Sequence, residues 1–264
     1  MLRGLNVLVT RPRPQAVELA QQLEEAGAEA VLLPCIDIAE PLSWAGADRA
    51  IRGYQRFDWI VFTSVNGVEA FLERLGTAKP PLARVAAVGS STAAALRRAG
   101  WPVDVVPEKF VSDEIADLLG EVSGRRVLMV RGDRARMQLP EILESRGAVV
   151  EHAVVYRIVD THPQVLAEGL RRLVAKGLPD AVTFTSPSAA SALVEAARVA
   201  GVEDWLREVP IVCIGPVTAE VVGEAGLAAT VVAGEYTIAG LLAALGSLTT
   251  GLEDGGVDTL EVPA

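Results

Sequence analysis

DWIVFTS at residues 58–64 returns as DAVTFTS at residues 180–186. Each copy starts on Asp, runs through four residues suited to a buried strand, and ends in Thr-Ser, so a strand hands two hydroxyls to the turn that follows it. Two further pairs keep the same order. NVLVTRP at 6–12 matches RVLMVRG at 126–132, and AAVGSSTAAAL at 86–96 matches VCIGPVTAEVV at 212–222. The offset grows from 120 at Val7/Val127 through 122 at Asp58/Asp180 to 126 at Gly89/Gly215, which marks an internal duplication with small loop insertions.

Around these pairs, short Val/Ile/Leu-rich runs alternate with Ala/Leu/Glu/Arg segments of helical period, the pattern of βα units on a parallel sheet. The expected strands of the first copy are 6–10, 30–38, 59–63, 85–88 and 103–106. Those of the second are 126–130, 149–159, 181–185, 211–214 and 229–232. Five strands with intervening helices in each copy fit an α/β, doubly wound, flavodoxin-like parallel sheet. The first helix of each copy is the clearest. Ala16, Leu19, Leu23 and Ala26 make one apolar face that stops at Gly27, and Leu139, Ile142 and Leu143 do the same before Gly147.

The second strand of each copy, AVLLPCIDIAEP and VVEHAVVYRIVD, is about twice the usual five or six residues. Such strands are expected to run from one domain into the other as a two-stranded β ladder, exchanging the leading βαβ segments. One domain is then 1–38 plus 161–264 and the other 39–160. The Gly/Asp/Glu-rich end, 252–264, is expected to be a flexible tail.

Composition narrows the function. The chain has 34 acidic against 24 basic residues, a net charge of -10, which argues against a nucleic-acid or anionic-membrane surface. Cys35 and Cys213 lie in apolar runs and read as buried thiols, and His152 and His162 are too few for the usual zinc sites, so no metal site is expected. The opening MLRGLNVLVTRP is too short in apolar residues for a signal peptide, and the uncharged run between Glu235 and Glu253 falls short of a bilayer span. The expected location is the cytoplasm.

Ligands of open parallel sheets gather where strands give way to helices at their carboxyl ends. Those turns hold Thr10 and Arg11; Thr63, Ser64 and Asn66; Gly89, Ser90 and Thr92; Arg131; Ser186 and Ser188; and Gly215 and Thr218. Hydroxyl and amide side chains here also serve as helix N-caps. Capping does not exclude ligand binding, because the remaining free N–H groups of helix starts attract anions. Arg11 and Arg131, Ser64 and Ser186, and Thr92 and Thr218 occupy equivalent repeat positions, so both copies offer the same donors. An acidic chain with two donor-rich walls suits a large polycarboxylate, and no GxGxxG or GxxxxGK[ST] sits at a strand-to-helix turn to suggest a nucleotide.

Tyr156 breaks the duplication, since its repeat partner is Ile36. A strand Tyr commonly packs through its ring. With so little histidine, its hydroxyl is also the best candidate for proton transfer or for steadying a leaving hydroxyl.

With these residues assembled, the chain resembles the uroporphyrinogen-III synthase family along nearly its whole length. The matching pieces are VTRP, VFTSVNGVEAF, VAAVGSSTAAALRRAG, RVLMVRGDRAR with LPEILESRGAVVEHAVVYR, TFTSPSAAS and IGPVTAEVVGEAGL. The resemblance implies two flavodoxin-like domains joined by a flexible two-stranded ladder, with the substrate in the cleft between them. It implies a cofactor-free cyclisation of hydroxymethylbilane, a linear tetrapyrrole polycarboxylate, to uroporphyrinogen III with loss of water and inversion of the last pyrrole through a spiro intermediate. It makes Tyr156 the catalytic acid and Thr63, Ser64, Thr92, Ser186 and Thr218 ligand contacts. The expected working form is a monomer in transient contact with the preceding pathway enzyme. The rival readings are a tetrapyrrole- or metabolite-sensing module of the same fold without turnover, and a two-lobed sugar- or amino-acid-binding protein.

Overall fold

The computed structural model describes residues 2–76, 79–107 and 112–253, the side chains of 112, 113 and 249–253 excepted. The first copy runs β1 (Asn6–Val9), α1 (Arg13–Glu25), β2 (Glu29–Leu32), β3 (Ile36–Ala39), α2 (Ala45–Arg52), β4 (Trp59–Phe62), α3 (Val65–Leu75), β5 (Arg84–Ala87), α4 (Ser90–Arg98) and α5 (Ser112–Leu119). The second runs β6 (Arg126–Gly132), α6 (Gln138–Ser145), β7 (Val149–Asp160), α7 (Pro163–Val174), β8 (Ala181–Phe184), α8 (Pro187–Ala200), α9 (Glu203–Glu208), β9 (Ile211–Cys213), α10 (Pro216–Glu224), β10 (Val231–Val232) and α11 (Ile238–Glu253). Leu252 and Glu253 thus belong to the last helix rather than to a tail, and the rest of the expected tail lies outside the described residues.

The chain divides into two compact units, Met1–Asp37 with Asp160–Ala264, and Ile38–Val159. Each is an α/β layer structure with its own five-stranded sheet, in the orders β10-β9-β8-β1-β2 and β3-β7-β6-β4-β5. The pairs β1/β2, β1/β8, β8/β9 and β9/β10 are parallel, as are β4/β5, β4/β6 and β6/β7. The carboxyl ends of these strands therefore line one edge of each sheet.

Burial on both faces explains the near-continuous apolar strands. In the second unit Ile60, Phe62, Leu128 and Val130 belong to one core cluster, while the alternating Trp59, Val61, Val127 and Met129 belong to another. The register Trp59↔Val127 and Ile60↔Leu128 puts like-facing residues side by side. Phe62, Phe71 and Trp101 meet edge to face at centroid distances of 5.4, 5.8 and 5.9 Å, each contact contributing roughly 0.5–1.5 kcal/mol beyond its buried area. That cluster clamps α3 to β4 and so fixes the turn between them. In the first unit Val7, Val9, Ala181 and Val212 pack with Leu19 and Leu23 of α1 and with Leu241 and Leu245 of α11. Gly27 and Gly147 stop α1 and α6 at φ 91° and 84°, values that other residues rarely adopt.

Two strand expectations need correction. The single strand expected over 30–38 is two, β2 and β3, broken at Leu33-Pro34-Cys35. Pro34 has no N–H to continue the ladder. On either side of it Leu33 N–H donates to Val9 O and Cys35 N–H to Thr10 O, and then Thr161 donates to the carbonyls of Cys35 and Pro34 through its N–H and hydroxyl. The strand expected over 103–106 is reduced to one bridge, Val105 to Ala86. Cys35 and Cys213 are free and buried, and burial raises both thiols, that of Cys213 to about 11.

Candidate functional site

In the second unit, β7, β6, β4 and β5 are consecutive neighbours, and their carboxyl ends and following turns carry Tyr156, Arg131, Thr63 to Asn66, and Gly89 to Thr92. Ser64 is the N-cap of α3, with extended φ/ψ of -162°/160°, and its Oγ accepts the Gly67 N–H at 3.0 Å. The same Oγ lies 3.0 Å from the Tyr156 hydroxyl. Because Ser64 still has its own proton and a second lone pair, it can donate to Tyr156 or accept from it while remaining a cap. Thr63 closes the strand end by donating its N–H and its hydroxyl to Val130 O, both at 3.2 Å.

Tyr156 is 8% exposed and sits in the core cluster through its ring. Burial raises its phenol above the ordinary tyrosine value, the Ser64 hydrogen bond opposes this, Asp133 adds to it and Arg131 opposes it. The register of β6 and β7 shifts between Arg131 and Gly132, bringing Gly132 opposite Tyr156. A Cβ at position 132 would lie 2.5 Å from Tyr156 Cζ, so only glycine leaves the ring its place. Asp133 then holds the strand: its N–H donates to Tyr156 O at 3.1 Å, and its Oδ1 accepts the Ile158 N–H at 3.0 Å.

Gly132 and Asp133 therefore position Tyr156, although of this turn only Arg131 is among the candidate site residues that the sequence suggests. The repeat held the signal, because Gly132 stands opposite Pro12 of the first copy just as Tyr156 stands opposite Ile36. Arg131 itself is 6% exposed and turned onto its own turn, donating to Gly132 O and Ala135 O and touching Met137 Sδ. Gly89 is the extended N-cap of α4, Ser90 is exposed, Thr92 is buried in the first turn, and Asn66 is half-buried at the start of α3.

The first unit repeats the layout on β9, β8 and β1. Ser186 caps α8 by accepting the Ala189 N–H at 3.2 Å, with Ser188 half-buried behind it. Gly215 is the N-cap of α10, where a Cβ would stand 3.3 Å from the Tyr236 ring, and Thr218 is buried in the next turn. Thr10 is fully buried and its hydroxyl donates to Thr183 O at 2.9 Å, a bond that joins β1 to β8. Arg11 follows it. Its Nη2 donates to Gln15 Oε1 at 3.0 Å, but Nε and Nη1 are buried with no partner, and burial lowers its pKa against the pull of Glu18. A desolvated guanidinium with two donors unused is costly unless an anion meets it.

Among the described residues no group of three or more His, Cys, Asp or Glu is placed to hold a metal, and no helix is long and apolar enough to cross a membrane.

Residues 17–243 match the model of the family described as uroporphyrinogen-III synthase HemD. A uroporphyrinogen-III synthase of Synechococcus elongatus is 31% identical over 92% of this chain and 95% of its own length. One from Chlorobaculum parvum is 30% identical over 84% and 90% respectively. In fold, the chain is similar to a mutant uroporphyrinogen III synthase of Thermus thermophilus, with a TM-score of 0.68 at 23% identity, covering 95% of this chain and all of that one.

Proposed function

The chain belongs to the uroporphyrinogen-III synthase family, and on that premise we propose that it converts hydroxymethylbilane to uroporphyrinogen III, losing water and inverting the terminal pyrrole ring. The observation that carries the chemistry is the buried Tyr156 hydroxyl 3.0 Å from Ser64 Oγ, at the carboxyl edge of a parallel sheet.

On this reading Tyr156 donates its proton to the departing hydroxyl of the bilane, which leaves as water, and Ser64 steadies the phenol through the transfer. The electrophile so formed is attacked by the substituted carbon of the terminal ring, giving the spiro intermediate. Reopening and reclosure deliver the inverted ring. The open chain is reactive enough to cyclise unaided to the uninverted isomer, so the protein's main task is to hold one folded conformation of it. The helix starts at Ser64, Gly89, Ser186 and Gly215, with Thr10, Arg11, Thr63, Asn66, Ser90, Thr92, Ser188 and Thr218 around them, are the proposed carboxylate contacts. Arg11 is the strongest of these, because two of its buried donors lack partners. Arg131 acts through the turn it braces rather than by direct contact.

We further read each unit as flavodoxin-like, with leading βαβ segments exchanged between the copies and β3/β7 as the connecting ladder. Supporting this, β1 and β2 pair beside β8 and not beside β4, and β6 and β7 pair beside β4 and not beside β8. We also propose that one chain acts as a monomer in the cytoplasm, with the substrate handed over transiently by the preceding enzyme. Supplying hydroxymethylbilane and resolving the products tests the function: type III isomer supports it, and type I alone contradicts it.

A further inference from the structure

At the other end of the second unit's sheet, α2 and the start of β7 border an open surface pocket of about 390 Å³, within the roughly 300–1,000 Å³ of small-ligand sites. Arg49, Arg52, Arg56, Glu151 and His152 line it, with small residues of α2 between them. Glu151 is its one carboxylate, and it is already shared by Arg56 and Arg126, each at 2.6 Å. The nearby acids are also engaged: Asp48 is bound by Arg74, and Asp58 by Arg125 and the Arg126 N–H. Arg49 and Arg52 have no ion pair among the described residues.

Arg56 is held ready. Its guanidinium lies over Gly53, where a Cβ would stand 3.1 Å from Nε, and its Cζ is 5.1 Å from the Phe57 ring centroid. One buried nitrogen in this group, Arg126 Nε, has no hydrogen-bond partner. The repeat gives a contrast, since Arg56, Arg126, Glu151 and His152 correspond to Leu178, Asn6, Val31 and Leu32. Arg52 likewise stands opposite Val174, whereas Arg49 has an arginine counterpart in Arg171, so all of the cluster but Arg49 is particular to one copy, and it stands out in a chain of net charge -10.

We propose that this pocket binds a small, multiply charged oxyanion. Arg49 supplies charge that no acid pairs, Arg52 adds charge that Asp48 only partly offsets, and Arg56, with Nη2 on Glu151, is a guanidinium fixed in place beside them; phosphate and carboxylate groups offer the oxygens that guanidinium groups bind. The site is separate from the Tyr156 edge and independent of the proposed reaction.

Titration calorimetry on the full chain tests it, with inorganic phosphate, pyrophosphate and citrate as probes at about 0.15 M sodium chloride, where long-range attraction is screened. At least one probe should bind saturably at one per chain, and preference between pyrophosphate and citrate separates phosphate from carboxylate ligands. Arg49→Gln with Arg52→Gln should weaken that binding about tenfold. Arg97→Glu with Arg98→Glu, exposed on the last turn of α4, changes the total charge more and should leave it unchanged. Thermal unfolding without ligand checks that both pairs fold. Failure of all three probes to saturate, or equal weakening by the two pairs, overturns the proposal.

Discussion

The ring of Tyr156 occupies the space in which a side chain at Gly132 would begin, with Cζ 2.5 Å from the ideal Cβ position. The absence of a side chain on one strand therefore sets the position of a hydroxyl on the next. Gly132→Ala is expected to push the ring away from Ser64, lowering turnover, and to cost about 1–3 kcal/mol through overpacking. Tyr156→Ala should itself cost about 3–5 kcal/mol through the cavity it leaves, and in that background Gly132→Ala should cost little more, with no activity in either. Chemical denaturation and turnover of the three variants check this, and a Gly132→Ala protein with normal stability and rate would show that the ring is not held there.

Ser64 and Ser186 separate capping from chemistry. Each accepts one helix N–H, from Gly67 and Ala189, so replacing either by Ala should cost about 1 kcal/mol. Only Ser64 also meets a Tyr hydroxyl. Ser64→Ala should therefore slow the proton-dependent step, whereas Ser186→Ala should act mainly on substrate affinity, seen as KM against kcat. Equal effects of the two on kcat would contradict a special role for the Ser64–Tyr156 pair.

The raised phenol gives a pH prediction. A folded-state pKa above the unfolded value of about 10 keeps Tyr156 protonated through neutral and mildly alkaline pH, so the acid is available there. Its stabilising effect is complete below the unfolded value and is lost as pH rises through the folded one. Phenolate absorbance of the wild type minus that of Tyr156→Phe should titrate above the ordinary tyrosine range. A difference titration at or below that range would contradict the buried setting. Because the Ser64 bond opposes the rise, Ser64→Ala should move this titration further up.

Thr183 tests the joining of distant segments in the first unit. Its hydroxyl donates to Leu8 O at 2.8 Å while Thr10 donates to Thr183 O, a buried reciprocal pair between strands far apart in sequence. Thr183→Val keeps the shape and leaves Leu8 O one donor short, at an expected cost of about 1–3 kcal/mol. Unfolding at unchanged denaturant midpoint would mean that the pair adds nothing to the β1/β8 seam.

Much of this architecture was legible because burial on both faces makes strands apolar and the duplication shows each strand twice. The Thr-Ser ending of β4 and β8 gave both caps directly. The break between β2 and β3 lies at Pro34, whose missing N–H interrupts a run that is otherwise extended and apolar enough to read as one strand. The 103–106 segment was apolar enough for a strand yet meets its neighbour at Val105 alone. The site was less legible. Position 156 was found by its break with Ile36, but the reason its ring fits lies in the β6/β7 register shift, which pattern alone does not reveal. Arg131 looked equivalent to Arg11 in sequence, whereas in the fold one guanidinium braces its own turn and the other keeps two buried donors unused.

The most direct measurement compares the isomers formed from hydroxymethylbilane by the wild type and by Tyr156→Phe at equal folded concentration. The wild type should give type III, and the variant should form it roughly a hundredfold more slowly, as expected for loss of a general acid, so that the spontaneous type I product dominates. Type III formation at the wild-type rate by Tyr156→Phe would contradict the assignment of the proton to Tyr156.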